Sequence, residues 1–190
     1  MPTIGVLALQ GAFGLHTTML GSLGVDTVEV RRPHDLAQVD ALVIPGGESS
    51  TISMLLERSG LFEPIAARLD GGMAALGTCA GAILLGAEIL DGRDDQRCFS
   101  ALDISVRRNA YGRQVDSFEC RLDVAGIDHP MQASFIRAPI IERVGPDVEV
   151  AAEVDGQAVV CMHGPITVAT FHPELNDDPS LHAAWLANFI

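Results

Sequence analysis

Gly77-Thr78-Cys79-Ala80-Gly81 sets a cysteine between two glycines at G-x-C-x-G spacing. The apolar run Met73 to Leu76 before it reads as a buried strand, and Ala80 to Ala87 after it as a helix. A cysteine at that junction has the pattern of a nucleophile elbow. The glycines then have a steric purpose, because a side chain on either side of so sharp a turn would meet neighbouring backbone. The helix start at Ala80 points free amides at the sulfur, which favours the thiolate. The Ala80 amide is also suited to bind a developing oxyanion. In isolation the same five residues would suit a buried structural cysteine; the strand-to-helix junction is what selects the elbow.

A cysteine nucleophile needs a base. Of the six histidines, His172 follows the apolar run Ile166 to Phe171 and sits in Phe171-His172-Pro173-Glu174. A carboxylate at Glu174 can accept the second ring N–H and hold the tautomer. The other histidines lack a carboxylate and a strand end together and read as surface or core residues. Pro45-Gly46-Gly47-Glu48-Ser49-Ser50 follows another apolar run. Its glycines allow close approach of backbone amides, offering a second oxyanion donor and a seat for a carboxylate. Glu48 could read an amine, although alone such a residue is more often solvated. Arg137, inside Phe135-Ile136-Arg137-Ala138-Pro139, could clamp a carboxylate. Spacing alone favours a surface ion pair for it.

These residues need a scaffold that brings strand ends together. Thr3 to Leu9, Asp26 to Val30, Ala41 to Ile44 and Met73 to Leu76 read as strands. Helices are expected from His16 to Leu23, with Leu15, Met19, Leu20 and Leu23 on its buried stripe, and around Ile52, Leu55 and Leu56. Strands alternating with helices, most of the strands apolar throughout, predict a parallel sheet covered on both faces. The second half adds Phe118 to Val124 and a hairpin from Val148 to Met162 turning at Asp155-Gly156. Asp178-Pro179 reads as N-cap and first residue of a C-terminal helix that buries Leu181, Trp185 and Phe189. The fold class is α/β: three layers with a mostly parallel central sheet and antiparallel additions in the C-terminal half. Residues 1–190 read as one domain.

Composition removes several classes. With 190 residues, 48% hydrophobic and 19% charged, the chain can bury a sizeable core. A formal charge of -13 argues against nucleic acid or an anionic membrane as partner. All 12 basic residues are arginine, which rules out Schiff-base chemistry on the chain's own lysine and the usual phosphate-binding P-loop. Cys79, Cys98, Cys120 and Cys161 are widely spaced, without a C-x-x-C pair, which argues against a zinc site and a disulfide framework. A reduced, cytoplasmic compartment is the simpler expectation. No basic segment followed by an apolar stretch opens the chain, so no signal peptide is expected. The uncharged run Gly71 to Ala87 holds five glycines and falls short of a spanning helix.

GTCAG, PGGESS and FHPE in this order resemble class I glutamine amidotransferases. Leu7 to Ala12, Arg108 to Glu119, Phe135 to Pro139 and Phe171 to Leu175 further resemble the glutaminase subunits of pyridoxal 5′-phosphate synthases. The resemblance implies a Cys79-His172-Glu174 triad that hydrolyses L-glutamine to glutamate and ammonia. It implies Gly47 and Ala80 amides at the oxyanion, and Gly47, Glu48, Ser49, Arg108, Ile136 and Arg137 as glutamine-binding residues. It thereby assigns Arg137 to substrate, against the reading from spacing. It implies a hetero-oligomeric complex with a (β/α)-barrel synthase that receives the ammonia, and a partner-coupled switch at Gln10-Gly11. No metal or cofactor is implied. Imine chemistry on lysine must then belong to the partner. Leu15 stands where many relatives carry glutamate. A glutaminase for another pathway and a partner-independent cysteine hydrolase are the alternatives.

Overall fold

The computed structural model describes residues 2–108 and 117–189. The first half runs β1 (Thr3–Leu7), α1 (Phe13–Ser22), β2 (Asp26–Val30), α2 (Pro33–Leu36), β3 (Ala41–Ile44), α3 (Ser49–Ser59), α4 (Phe62–Asp70), β4 (Ala74–Thr78) and α5 (Ala80–Leu85). The second half runs β5 (Gly86–Ile89), β6 (Leu102–Arg107), β7 (Phe118–Leu122), β8 (Met131–Phe135), β9 (Ile140–Val144), β10 (Glu149–Val154), β11 (Gln157–His163), β12 (Ile166–Ala169) and α6 (Ser180–Ala187). A 3₁₀ turn, Pro173–Leu175, precedes α6.

The central sheet has seven strands in the order β10-β11-β12-β4-β3-β1-β2. From β12 to β2 the pairs are parallel, and β10-β11-β12 are antiparallel. Alternation along each parallel strand explains why both faces are apolar. Ile4, Val6, Ala41, Val43, Ala74 and Leu76 pack with Leu20, Trp185 and Leu186 from α1 and α6. Leu7, Leu42, Ile44 and Ala75 pack the other way, against Ile52, Leu56, Ile65 and Leu84 from α3, α4 and α5. The predicted three-layer α/β arrangement with antiparallel C-terminal additions is therefore the observed one.

The hairpin turn is also as expected: Asp155 (φ 51°) and Gly156 (φ 75°) both take the left-handed conformation that a two-residue turn needs. Other boundaries differ. β1 ends at Leu7, and α1 begins at Phe13 rather than near His16. The helix after Cys79 stops at Leu85, because Gly86–Ile89 pairs with β6. Pro179, not Asp178, occupies the cap position of α6, although Asp178 still accepts the Ser180 N–H at 3.0 Å. Phe189 lies beyond that helix, its ring 5.0 Å from Trp185. The elements α2, α4, β5, β6, β8 and β9 carry weaker sequence signals and were not expected. β5-β6-β9 and β7-β8 form two small sheets beside the central one.

Candidate active site

β4 and β12 are parallel neighbours with Thr78 opposite Ala169. Their carboxyl ends therefore lie at one edge of the sheet, Cys79 following the first and His172 shortly after the second. Cys79 adopts φ 48° and ψ -101°, a conformation that a non-glycine residue holds only when its surroundings force it. The turn is possible because its flanks carry no side chains. A Cβ on Gly77 would stand 2.6 Å from the Gly81 backbone, and one on Gly81 would collide with the Ile44 carbonyl oxygen. Cys79 is only 6% exposed, and the Cys79 N–H donates to the Ala169 oxygen at 2.8 Å, tying the elbow to β12.

His172 is fixed at both ends. Its backbone N–H donates to the Ser134 oxygen at 2.9 Å, and its Nδ1 lies 2.7 Å from Glu174 Oε1. Burial alone would lower the imidazole pKa. Hydrogen bonds with Cys79 and Glu174 outweigh it and push His172 up to about 10. Glu174 is fully buried at its side chain; burial alone would raise it, but the His172 hydrogen bond and the facing histidines hold it below the usual carboxylate range. The group is thus arranged as a cysteine sulfur, an imidazole that favours its charged form, and an ionised carboxylate behind it.

A cavity of about 330 Å³ opens over Cys79 and His172. Its walls include Gln10, Gly47, Glu48, Ser49, Arg108, Ile136 and Arg137, so the structure brings most of the sequence-nominated residues to one place. Ala80 follows Cys79 as the first residue of α5, and Gly11 follows Gln10 with φ 100°. The turn at Gly46 lies against both catalytic candidates: a Cβ there would run into His172 and stand 3.3 Å from Cys79 Cβ.

Glu48 does more than the sequence suggested. Its carboxylate caps α3, accepting the Ser50 N–H at 3.2 Å and the Thr51 N–H at 2.7 Å, and it receives both hydroxyls. Partial burial opposes ionisation, but these donors hold Glu48 down at about 2. It also accepts from Arg108 Nη2 at 3.2 Å, while Arg108 Nη1 donates to Gln96 at 2.6 Å. Arg137 is exposed at φ 44° and makes no ion pair among the described residues, so the surface ion pair that spacing favoured is absent there. Phe118 stacks on Phe135 with centroids 4.6 Å apart, supporting the strand end that leads to Ile136. Residues 109–116 of the Arg108 to Glu119 block lie outside the described residues.

The model of the SNO glutamine amidotransferase family matches residues 6–190. This chain belongs to that family. Several curated relatives of this SNO-family chain carry the name pyridoxal 5′-phosphate synthase subunit PdxT. That of Salinispora tropica is 52% identical over 188 residues, covering 96% of this chain and 94% of the relative. That of Acidothermus cellulolyticus is 50% identical over 192 residues, covering 98% and 93%. A solved glutamine amidotransferase superposes with TM-score 0.91 at 43% identity, covering 97% of both chains. A chain of the PurLQS structure from Thermotoga maritima, at TM-score 0.66 and 14% identity over 98% of both chains, shares the fold.

Two residues of this SNO-family site were missed by sequence reasoning. His16, left with the other histidines as a surface or core residue, is fully buried with Nε2 3.4 Å from Glu174 Oε2. His182 is equally buried, its Nε2 2.8 Å from His16 Nδ1. Leu15, expected on the buried stripe, is 45% exposed. A histidine inside an apolar helix face was the available signal. The other three thiols lie elsewhere: all four cysteines are free, and burial pushes Cys120 up and Cys161 up to about 11. No helix among the described residues is long and apolar enough to cross a membrane.

Proposed function

We propose that residues 1–190 form one glutaminase domain that hydrolyses L-glutamine and passes the ammonia to a synthase making pyridoxal 5′-phosphate. The observation that carries this reading is the about 50% identity, over nearly the whole chain, to synthase subunits of that name, in a chain whose Cys79, His172 and Glu174 meet beneath a cavity. Cys79 sulfur attacks the side-chain amide carbon of glutamine, and the Gly47 and Ala80 amides take the negative charge on its oxygen. The C–N bond breaks as His172 gives its proton to the leaving nitrogen, leaving a glutamyl thioester and ammonia. His172 then takes a proton from water, the hydroxide attacks the thioester, and glutamate leaves with the thiolate restored. Glu174 holds the imidazole and its positive charge.

Gly47 to Ser49, Arg108, Ile136 and Arg137 bind the amino-acid end of glutamine, Glu48 acting mainly by holding Arg108 and capping α3. The chain has no lysine, so imine steps on sugar phosphates fall to the partner, a (β/α)-barrel synthase. Four free thiols favour a cytoplasmic setting. Partner docking reorients the Gln10-Gly11 peptide and completes the oxyanion site. The support is contact: Gln10 Oε1 accepts the Glu48 N–H at 2.9 Å, and the Ala12 N–H donates to the Gly46 oxygen at 3.2 Å. The deciding assay measures glutamine hydrolysis by wild type and Cys79→Ala with the synthase present. The variant is expected to lose on the order of 10⁴-fold or more while product still forms from added ammonium salt. Hydrolysis by Cys79→Ala near the wild-type rate would remove the nucleophile and the reading with it.

A further inference from the structure

Glu174 has two carboxylate oxygens and only one is accounted for by His172. Oε2 is buried, has no hydrogen-bond partner among the described residues, and faces His16 Nε2 at 3.4 Å. An ionised oxygen in that position favours a facing positive dipole, which a ring N–H on His16 Nε2 supplies at 3.4 Å. The same nitrogen is 3.1 Å from Thr78 Oγ1, the atom that accepts the Gly46 N–H at 3.1 Å. With the proton on Nε2, His16 Nδ1 is an acceptor, and the 2.8 Å contact to His182 Nε2 fixes that nitrogen as the donor. His182 Nδ1 is then a bare lone pair. It is buried without a partner, and an unfilled acceptor costs less than an orphaned N–H. Every observed contact agrees with one direction of donation, from α6 through α1 to the base of the site.

We propose that His16 and His182 are positioning residues for the Cys79 site: two neutral imidazoles in series that hold one N–H between Thr78 Oγ1 and the free oxygen of Glu174, bracing Thr78 beneath the Gly46-Gly47 turn and facing the carboxylate with a positive dipole. The inference rests on reading Cys79, His172 and Glu174 as the catalytic group. The titratable groups facing His16 are Glu174 and His172, from the segment after β12, and His182 from α6. Burial holds both imidazoles neutral, at about 4 for His16 and about 3 for His182, so they act as oriented dipoles rather than as charges. Without the His16 dipole, Glu174 is a poorer anion and the His172 imidazolium beside Cys79 is less stabilised.

The test compares His16→Gln, His16→Asn and His16→Phe. A glutamine amide reaches the place of Nε2, an asparagine amide only that of Nδ1, and phenylalanine fills the volume with neither. Glutamine hydrolysis is measured with excess synthase, and Cys79 alkylation by iodoacetamide is followed against pH on the same proteins. His16→Asn and His16→Phe are expected to lower kcat about 10-fold or more, the scale of a hydrogen bond to a charged group, with KM little changed. Their alkylation slows at neutral pH and recovers only at higher pH, and His16→Gln recovers most of both losses. If His16→Phe does not fold, the contrast between glutamine and asparagine decides. Equal kcat and equal alkylation profiles for His16→Gln and His16→Asn overturn the proposal, whatever either does to thermal stability. Alkylation does not require glutamine turnover, so a wild-type chain that fails to hydrolyse glutamine refutes the proposed function while the alkylation contrast still judges His16.

Discussion

Acid should destabilise this protein well above the pH at which carboxylates titrate, and two buried histidines set the size of the effect. His16 and His182 are 0% exposed, and burial lowers them from 6.5 to about 4 and about 3. Below 6.5 the unfolded chain takes up a proton on each that the folded chain refuses. Stability therefore falls as pH falls through this window, by about 1.4 kcal/mol per pH unit for each histidine and about 3 for the two together. Only half of that slope acts at 6.5 itself, so from about pH 6.5 to about pH 5 the loss is about 3 kcal/mol, a large share of a typical stability of about 5–15 kcal/mol. His172, raised to about 10, works the other way: folded it is fully protonated, so as the unfolded histidine takes up its proton between about pH 7 and about pH 5.5 it offsets a minor part of the loss and is neutral to the slope only below that. Its own stabilisation is complete below 6.5 and is lost as pH rises through about 10. Glu174, held low, stabilises above the ordinary value of 4.5 and loses that only in stronger acid. Urea unfolding followed by circular dichroism, at about half-unit steps from about pH 7 to about pH 5, reads the slope directly. A double variant, His16→Gln with His182→Leu, should flatten it. A wild-type slope near zero, or a slope the double variant leaves intact, refutes the claim that both imidazoles are buried neutral.

His172→Ala should damage glutamine hydrolysis about as much as loss of the nucleophile, on the order of 10⁴-fold, and Glu174→Ala less, because an orienting carboxylate transfers no proton; equal rates for Glu174→Ala and wild type would take Glu174 out of the site. Simultaneous replacement of Cys98, Cys120 and Cys161 by alanine should leave activity intact, since burial pushes Cys120 and Cys161 away from the reactive thiolate; lost activity in a folded, stable product would reveal a second functional thiol. The chain alone should hydrolyse glutamine about 10²–10³-fold more slowly than with excess synthase, the usual worth of one oxyanion donor; full turnover by the lone chain would abolish the proposed Gln10-Gly11 switch.

The sequence by itself carried the elbow, the histidine with its carboxylate two residues on, and the alternation of apolar runs that makes a parallel sheet. These are local signals. Gly77 is required by the turn it flanks, and Glu174 reaches His172 across one rigid proline, so neither depends on distant chain; Gly81 also leaves room for the Ile44 carbonyl of β3. The strands that were read correctly, such as β3 and β11, are apolar on both faces or closed by a turn signal. Tertiary structure decided what sequence spacing could not express. α1 looked as though it buried Leu15, yet the helix turns His16 inward because Glu174 and His182, from segments more than a hundred residues away, supply its polar partners. Arg108 and Glu48, sixty positions apart, meet only because β6 and the turn before α3 end at one cavity. A buried imidazole is tolerable only where folding delivers hydrogen-bond partners to it, and those partners are a property of the assembled core, not of any stretch of chain.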